Sequence, residues 1–213
     1  MNAANDNLHM KVQKVIPRQA GFTLLEVLIA VVVLSFGVLG MVGLQAASLQ
    51  ANRDARLQAA AARLGHELVD MMRGNKNVAI QVTAANPYLF DTSGPPYRAA
   101  PEDCYRMACT TTTNVAIFEM GEWLSRVVGT PGAIGVPAVP GELPGARVKV
   151  CFDSTPFTAQ GIPQWACSDS GAVAVVKIGW TRSSTNRAAT GATAIELATT
   201  PTIVLPVTPG TGA

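Results

Sequence analysis

Residues 21–44 read GFTLLEVLIAVVVLSFGVLGMVGL, and the reading of this stretch decides the fold. From Val27 to Asn52 the chain carries no charge at all. A run of this length can cross a bilayer as a helix, because a helix satisfies all its backbone polar groups internally. The β-branched block Val31-Val32-Val33 would also suit a buried strand. Length and the lack of turn signals select helix instead.

Working upstream, residues 1–20 are polar and show no periodicity to bury. Residues 1–21 hold Lys11, Lys14 and Arg18 against Asp6 alone. Removing these from the 16 basic and 14 acidic residues of the 213-residue chain leaves 13 of each, so the formal +2 resides wholly before the apolar run. A basic flank of this kind marks the cytoplasmic side of a membrane segment. No basic field is left over for nucleic acid as the main partner.

Downstream, the apolar run passes without a breaker into an amphipathic pattern. Leu49, Leu57, Ala60, Leu64, Leu68 and Met71 recur at helical spacing, with Arg53, Asp54, Arg56, Arg63, Glu67, Asp70 and Arg73 between them. One helix is predicted from about Thr23 to Arg73, with Gly74-Asn75 as its stop. At 1.5 Å per residue it would be about 75 Å long, too long for a compact domain of this size. Gly37, Gly40 and Gly43 recur every three residues; they either soften the helix or serve ordinary small-residue packing.

Residues 78–110 are punctuated by Pro, Gly and Asn and are expected to be loop. A second, shorter helix is expected after Asn114 as its cap, with Ala116, Met120, Trp123, Leu124 and Val127 on one face. Residues 129–145 form a turn-rich connector. Strands are expected at Ala146–Phe152, Val173–Thr181 and around Ala194–Leu205, the first alternating Arg147 and Lys149 with Val148 and Val150 as if one face were wet. Pro201 restricts the last strand to a sheet edge. The tail PVTPGTGA is expected to be disordered. The fold class is therefore α+β: a long N-terminal helix, transmembrane and then amphipathic, with a small antiparallel-sheet head.

Four cysteines, Cys104, Cys109, Cys151 and Cys167, all lie beyond the apolar run. An even count in an exported segment points to two disulfides. The spacings are C-x4-C and C-x15-C, not the C-x2-C of common zinc knuckles, and histidine is scarce. The pairing Cys104–Cys109 with Cys151–Cys167 closes each loop locally; the other two connectivities stay open. No metal or cofactor is expected.

The functional signal is Gly21-Phe22-Thr23-Leu24-Leu25-Glu26, set between the basic flank and the span. A secretory signal peptide would have a shorter apolar core with no carboxylate inside it. A plain membrane anchor gives no reason for Glu26, since an ionisable residue at the centre of a membrane helix costs roughly 2.5–3.5 kcal/mol on insertion scales. Near one end the cost is smaller, but the carboxylate still calls for a partner.

Here the chain resembles the type IV pilin family, including the type II secretion pseudopilins. The resemblance implies cleavage by a prepilin peptidase between Gly21 and Phe22, N-methylation of Phe22, and retention of Glu26 for subunit assembly. It implies a leader over 1–21, a long pilin helix over 22–75 and a periplasmic or extracellular head over 76–213. Past the motif, VLSFGVLGMVGLQAASLQAN (Val33–Asn52) and DMMRGN (Asp70–Asn75) are similar to PilV-type minor pilins, as are CYRMAC, GEWLSRV and VVKIGWTR. The long leader, the loose GTPGAIG turn and Gly74 depart from that pattern. The implied role is structural, in pilus biogenesis, twitching motility and adhesion. The implied partners are other minor pilins, the major pilin, the inner-membrane assembly platform and a tip adhesin. The implied location is the inner membrane of a Gram-negative bacterium, single pass with the head in the periplasm, and then the pilus.

Enzyme readings find little support. His9 falls in the leader, leaving His66 as the single histidine, and no nucleophile can be given a His and carboxylate set. No HExxH, Walker-type or G-x-G-x-x-G motif is present. Glu119 and Glu122 lie one turn apart and are read as the wet face of the second helix, while Trp123 and Trp180 are expected in the core. A membrane-tethered periplasmic enzyme or binding protein is the rival from another class.

Overall fold

A computed structural model of the chain describes residues 21–131, 137–184 and 188–208. The chain divides into two units, with the division between Leu49 and Gln50. That point lies inside helix α1, Leu24–Gly74. In the first unit every described residue is exposed, so this stretch of α1 buries nothing within the chain. α1 is long and apolar enough to cross a membrane.

The second unit is built on the amphipathic end of α1. Ala61, Leu64, Leu68, Val69 and Met72 are buried, while Leu57, Ala60 and Met71 pack at the rim. The predicted stripe is thus displaced by about one residue, and Leu49 lies outside it, 71% exposed. Gly65 falls on the buried face; a Cβ there would meet Leu205 Cδ1 at 2.5 Å, so the missing side chain admits close approach of the sheet.

After α1 comes one short helix, α2 (Lys76–Ala79). The loop beyond it is organised by buried Asn86, whose Nδ2 donates to the carbonyls of Ala79 (3.1 Å) and Gln81 (2.8 Å) and whose Oδ1 accepts from Tyr88 N–H (3.0 Å). Within the expected loop lies strand β1, Phe90–Asp91. Helix α3 spans Thr112–Val128 and is capped by Thr111, whose hydroxyl accepts from Asn114 N–H at 3.1 Å. Asn114 is therefore the third helical residue and not the cap. Ala116, Met120, Trp123, Leu124 and Val127 are buried on one face, as the spacing predicts.

The expected connector holds a small ribbon, β2 (Gly129–Thr130) against β3 (Val139–Pro140). The main strands are β4 (Arg147–Phe152) and β5 (Ala174–Gly179). A second ribbon pairs β6 (Arg182–Ser183) with β7 (Ile195–Glu196), and β8 spans Ile203–Val207. The third predicted strand is thus two separate pieces, β7 and β8. The four-stranded antiparallel sheet has the order β1-β4-β5-β8. Pro206 and Val207 lie in β8 with Val207 buried, so that part of the expected disordered tail is ordered; residues 209–213 lie outside the described residues.

One sheet face, carrying Val148, Val150, Phe152, Ala174, Val176 and Ile178, packs into the core with α1 and α3. On the other face Arg147 and Lys149 of β4 stay half-buried between buried valines, as their alternation predicts, but β5 is covered. All six residues of β5 are buried, because the loop after β4 folds back over it.

Candidate functional site

Gly21-Phe22-Thr23 precede α1 without regular structure, and the helix begins at Leu24. Thr23 is its cap: its hydroxyl accepts from Glu26 N–H at 3.2 Å, and its carbonyl receives Val27 N–H at 3.3 Å. Thr23-x-x-Glu26 has the spacing of a capping box, which places a carboxylate in the first helical turn, where the macrodipole favours negative charge. The same Thr that starts the helix therefore fixes where Glu26 stands. Its carboxylate has no hydrogen-bond or ion-pair partner among the described residues and is exposed. Phe22 is 82% exposed, and a Cβ on Gly21 would meet nothing within 4 Å among the described residues.

The expected site residues of the second unit are placed as follows. Cys104 is bonded to Cys109, with Cα atoms 5.2 Å apart, and Cys151 to Cys167, with Cα atoms 6.4 Å apart. The first closes a knuckle ahead of α3 that displays Tyr105 and Met107 to solvent. The second ties the end of β4 to the loop that covers β5.

Under that loop lies a pair the spacing does not reveal. Lys177 Nζ donates to Asp153 Oδ2 at 2.5 Å and to the Ala166 carbonyl at 2.6 Å, and neither charged side chain reaches solvent. Asp153 Oδ1 accepts from Thr155 N–H (2.9 Å) and Ser168 N–H (3.2 Å), so one carboxylate holds both ends of the loop. Burial pushes the Asp153 carboxyl up, but the Lys177 bond and the two backbone donors outweigh it and hold it below the ordinary range. Trp165 closes the loop over Arg147, whose guanidinium lies 4.4 Å from the ring centre, and donates to the Ala198 carbonyl at 3.2 Å. Cys151, Asp153 and Cys167 stand close enough to suggest a metal site. Their chemistry excludes it: the two sulfurs are joined and the carboxylate is taken by Lys177. A lysine within the apolar run AVVKIG, and an aspartate two residues beyond Cys151, were the available signals for this arrangement.

On the other side of the unit, α1 and α3 leave between them a groove of about 860 Å³, lined by Arg63, His66, Glu67, Asp70 and Glu119 among others. His66 is exposed here. Glu122 is exposed and accepts from the Tyr105 hydroxyl at 3.4 Å, as a wet-face residue should. Glu119 is half-buried, which pushes its carboxyl up from the usual range. It has no ion-pair or hydrogen-bond partner among the described residues.

Residues 16–42 match the family model described as the prokaryotic N-terminal methylation motif. Nothing among curated proteins or solved structures matches the chain. The motif, the long apolar helix and the antiparallel-sheet unit are consistent with one another, and the motif supports a prepilin of the type IV pilin or pseudopilin kind.

Proposed function

We propose that this chain is the precursor of a minor pilin of the PilV type, cut between Gly21 and Phe22 and then built into a type IV pilus or the complex that primes one. The observation that carries this reading is Glu26: an exposed carboxylate without a partner among the described residues, in the first turn after the Thr23 cap, at the start of an otherwise charge-free span. Cleavage would remove the basic leader and create an ammonium on Phe22, four residues from Glu26. On a neighbouring subunit that ammonium is the natural partner for Glu26. Two unit charges at 4 Å attract by about 4 kcal/mol at an effective dielectric of 20. In lipid, where apolar burial gives little preference between one helix register and another, such a pair can set register.

The apolar half of α1 supports the same reading, since a helix exposed on all sides within its own chain needs lipid first and other helices afterwards. The reading makes the chain a structural subunit with no catalytic role. Its expected partners are a prepilin peptidase, other minor pilins, the major pilin, the assembly platform and a tip adhesin, and its expected services are motility and adhesion. The test is coexpression of the full chain with a prepilin peptidase, followed by intact mass and terminal sequencing. A mature start at Phe22 with an added methyl group is expected. A chain that keeps Met1, or is cut beyond Leu44, would sink the proposal.

A further inference from the structure

We propose that Arg53 and Arg56, just beyond the apolar run of α1, hold the headgroup phosphate of an anionic phospholipid in the leaflet opposite the basic leader. The charges of α1 past that run fall into two groups. Arg63 is paired with Glu142, Glu67 with Arg126, and Asp70 with Arg73 at 3.6 Å. Arg53, Asp54 and Arg56 are exposed and have no ion-pair or hydrogen-bond partner among the described residues. Arg53 and Arg56 stand about 60° apart around the helix and about 4.5 Å apart along it. Asp54 lies about two turns before Ala61 and four before Leu68, both buried, so it continues the stripe that faces the folded unit. Arg53 is about 100° and Arg56 about 160° around the helix from Asp54, so its carboxylate does not neutralise the side they share.

Depth along the helix selects lipid as the occupant. The charge-free run Val27–Asn52 corresponds to about 39 Å of helix. A hydrocarbon core is about 30 Å thick, and about 40–45 Å with both headgroup regions. With Glu26 near one interface, Arg53 and Arg56 therefore reach the headgroup layer of the other. A guanidinium meets phosphate there with two parallel N–H donors, and its aliphatic stem lies along the acyl boundary. The basic leader puts the other end of the run on the cytoplasmic side, and Lys and Arg are depleted on the far side of a span. Two arginines without an internal partner at that position run against this bias, and a phosphate partner accounts for them. A protein acid would have to be brought to this layer, whereas lipid phosphate is already present in it. The contact depends on α1 crossing a membrane, and on neither cleavage at Gly21 nor fibre assembly.

The test uses the full uncut chain in bilayer discs of equal phosphatidylcholine and phosphatidylglycerol, and native mass spectrometry identifies the lipids retained on the released protein. Wild type should retain phosphatidylglycerol in preference. Arg53→Gln with Arg56→Gln should lower that preference by roughly fivefold or more, since each basic residue near an anionic surface contributes about fivefold. The leader is basic as well, so the comparison is repeated with Lys11→Gln, Lys14→Gln and Arg18→Gln in both chains, where the same loss is expected. Equal preference with and without the two arginines overturns the proposal, as does a preference that disappears with the leader substitutions alone. A second measurement leaves both arginines in place. Asn52 is about 40° around the helix from Arg56, and Asn52→p-benzoylphenylalanine should photo-crosslink phospholipid in bacterial inner membranes. A protein adduct without a lipid adduct overturns the proposal. Cleavage plays no part in either measurement, so a chain that prefers phosphatidylglycerol yet resists a prepilin peptidase would keep the lipid contact and remove the prepilin assignment.

Discussion

The indole N–H of Trp123 donates to the main-chain carbonyl of Leu64 at 3.0 Å, across 59 positions of sequence, in the middle of the core. Both residues are fully buried, and the ring also meets Phe90 edge to face at 6.5 Å. This bond fixes α3 against α1 and so determines the width of the groove beside it. Trp123→Phe should lose about 0.5–1.5 kcal/mol with the hydrogen bond. Trp123→Ala should lose about 3–5 kcal/mol because a cavity is added. Thermal unfolding of the detergent-solubilised chain, followed by near-ultraviolet circular dichroism, measures both.

The buried Lys177–Asp153 pair should behave as a unit. Asp153→Asn strands an ammonium beneath the loop and should destabilise by about 3–5 kcal/mol. Replacing both residues, Asp153→Leu with Lys177→Met, should be milder than that single change. The pH dependence follows from the lowered carboxyl of Asp153. Its contribution is complete above the unfolded value near 3.9 and is lost only as pH falls through the lower folded value. The gap between wild type and Asp153→Asn should hold from pH 7 to about 4 and close in stronger acid.

Glu119 predicts the opposite sign. Its folded carboxyl is raised, so the charged form opposes folding, and the wild type gains as pH falls through the raised value. Glu119→Gln should melt higher than wild type at pH 7, with the difference gone near pH 4. A melting curve unchanged by the substitution at pH 7 would show that the carboxylate is well solvated.

The two disulfides should differ in weight. Cys151 and Cys167 are 16 positions apart and Cys104 and Cys109 are 5 apart. Loop-closure entropy gives about 3 kcal/mol for the first and about 2 kcal/mol for the second. Removing Cys151–Cys167 also frees the cover of Lys177, so the Cys151→Ser, Cys167→Ser variant should expose β5 to amide exchange. The Cys104→Ser, Cys109→Ser variant should leave β5 protected.

Glu26→Val separates processing from assembly. The variant should still be cut at Phe22, since Glu26 lies beyond the bond, yet remain in the membrane fraction and be missing from sheared fibres. Equal recovery of wild type and variant in fibres would refute the assembly role given to Glu26.

Much of the architecture can be read from period alone. The long helix, the buried face of α3 and strands β4 and β5 all repeat a pattern over enough residues for chance to be unlikely to imitate it. The two-residue strands β1, β2, β3, β6 and β7 have no period to read. Thr111 was hidden behind Asn114, because either residue type caps a helix and only the backbone decides between them. Lys177 was unreadable for a deeper reason. Alternation says which residues share a sheet face, but what covers that face depends on where a distant loop returns. The motif at Gly21, Phe22 and Glu26 was plain in the sequence, whereas the Thr23 cap that starts the helix showed only in the hydrogen bond from Glu26 N–H.

The sheet ends on one side in β1, only Phe90 and Asp91 long, and on the other in β8, which contains Pro206. Neither border is a good template for another strand, since one is too short and the other lacks a donor. Subunits crowded side by side therefore have little opportunity to zip together edge to edge into an irreversible aggregate. Whatever order they reach must come through helices and charges, contacts that can be undone and made again.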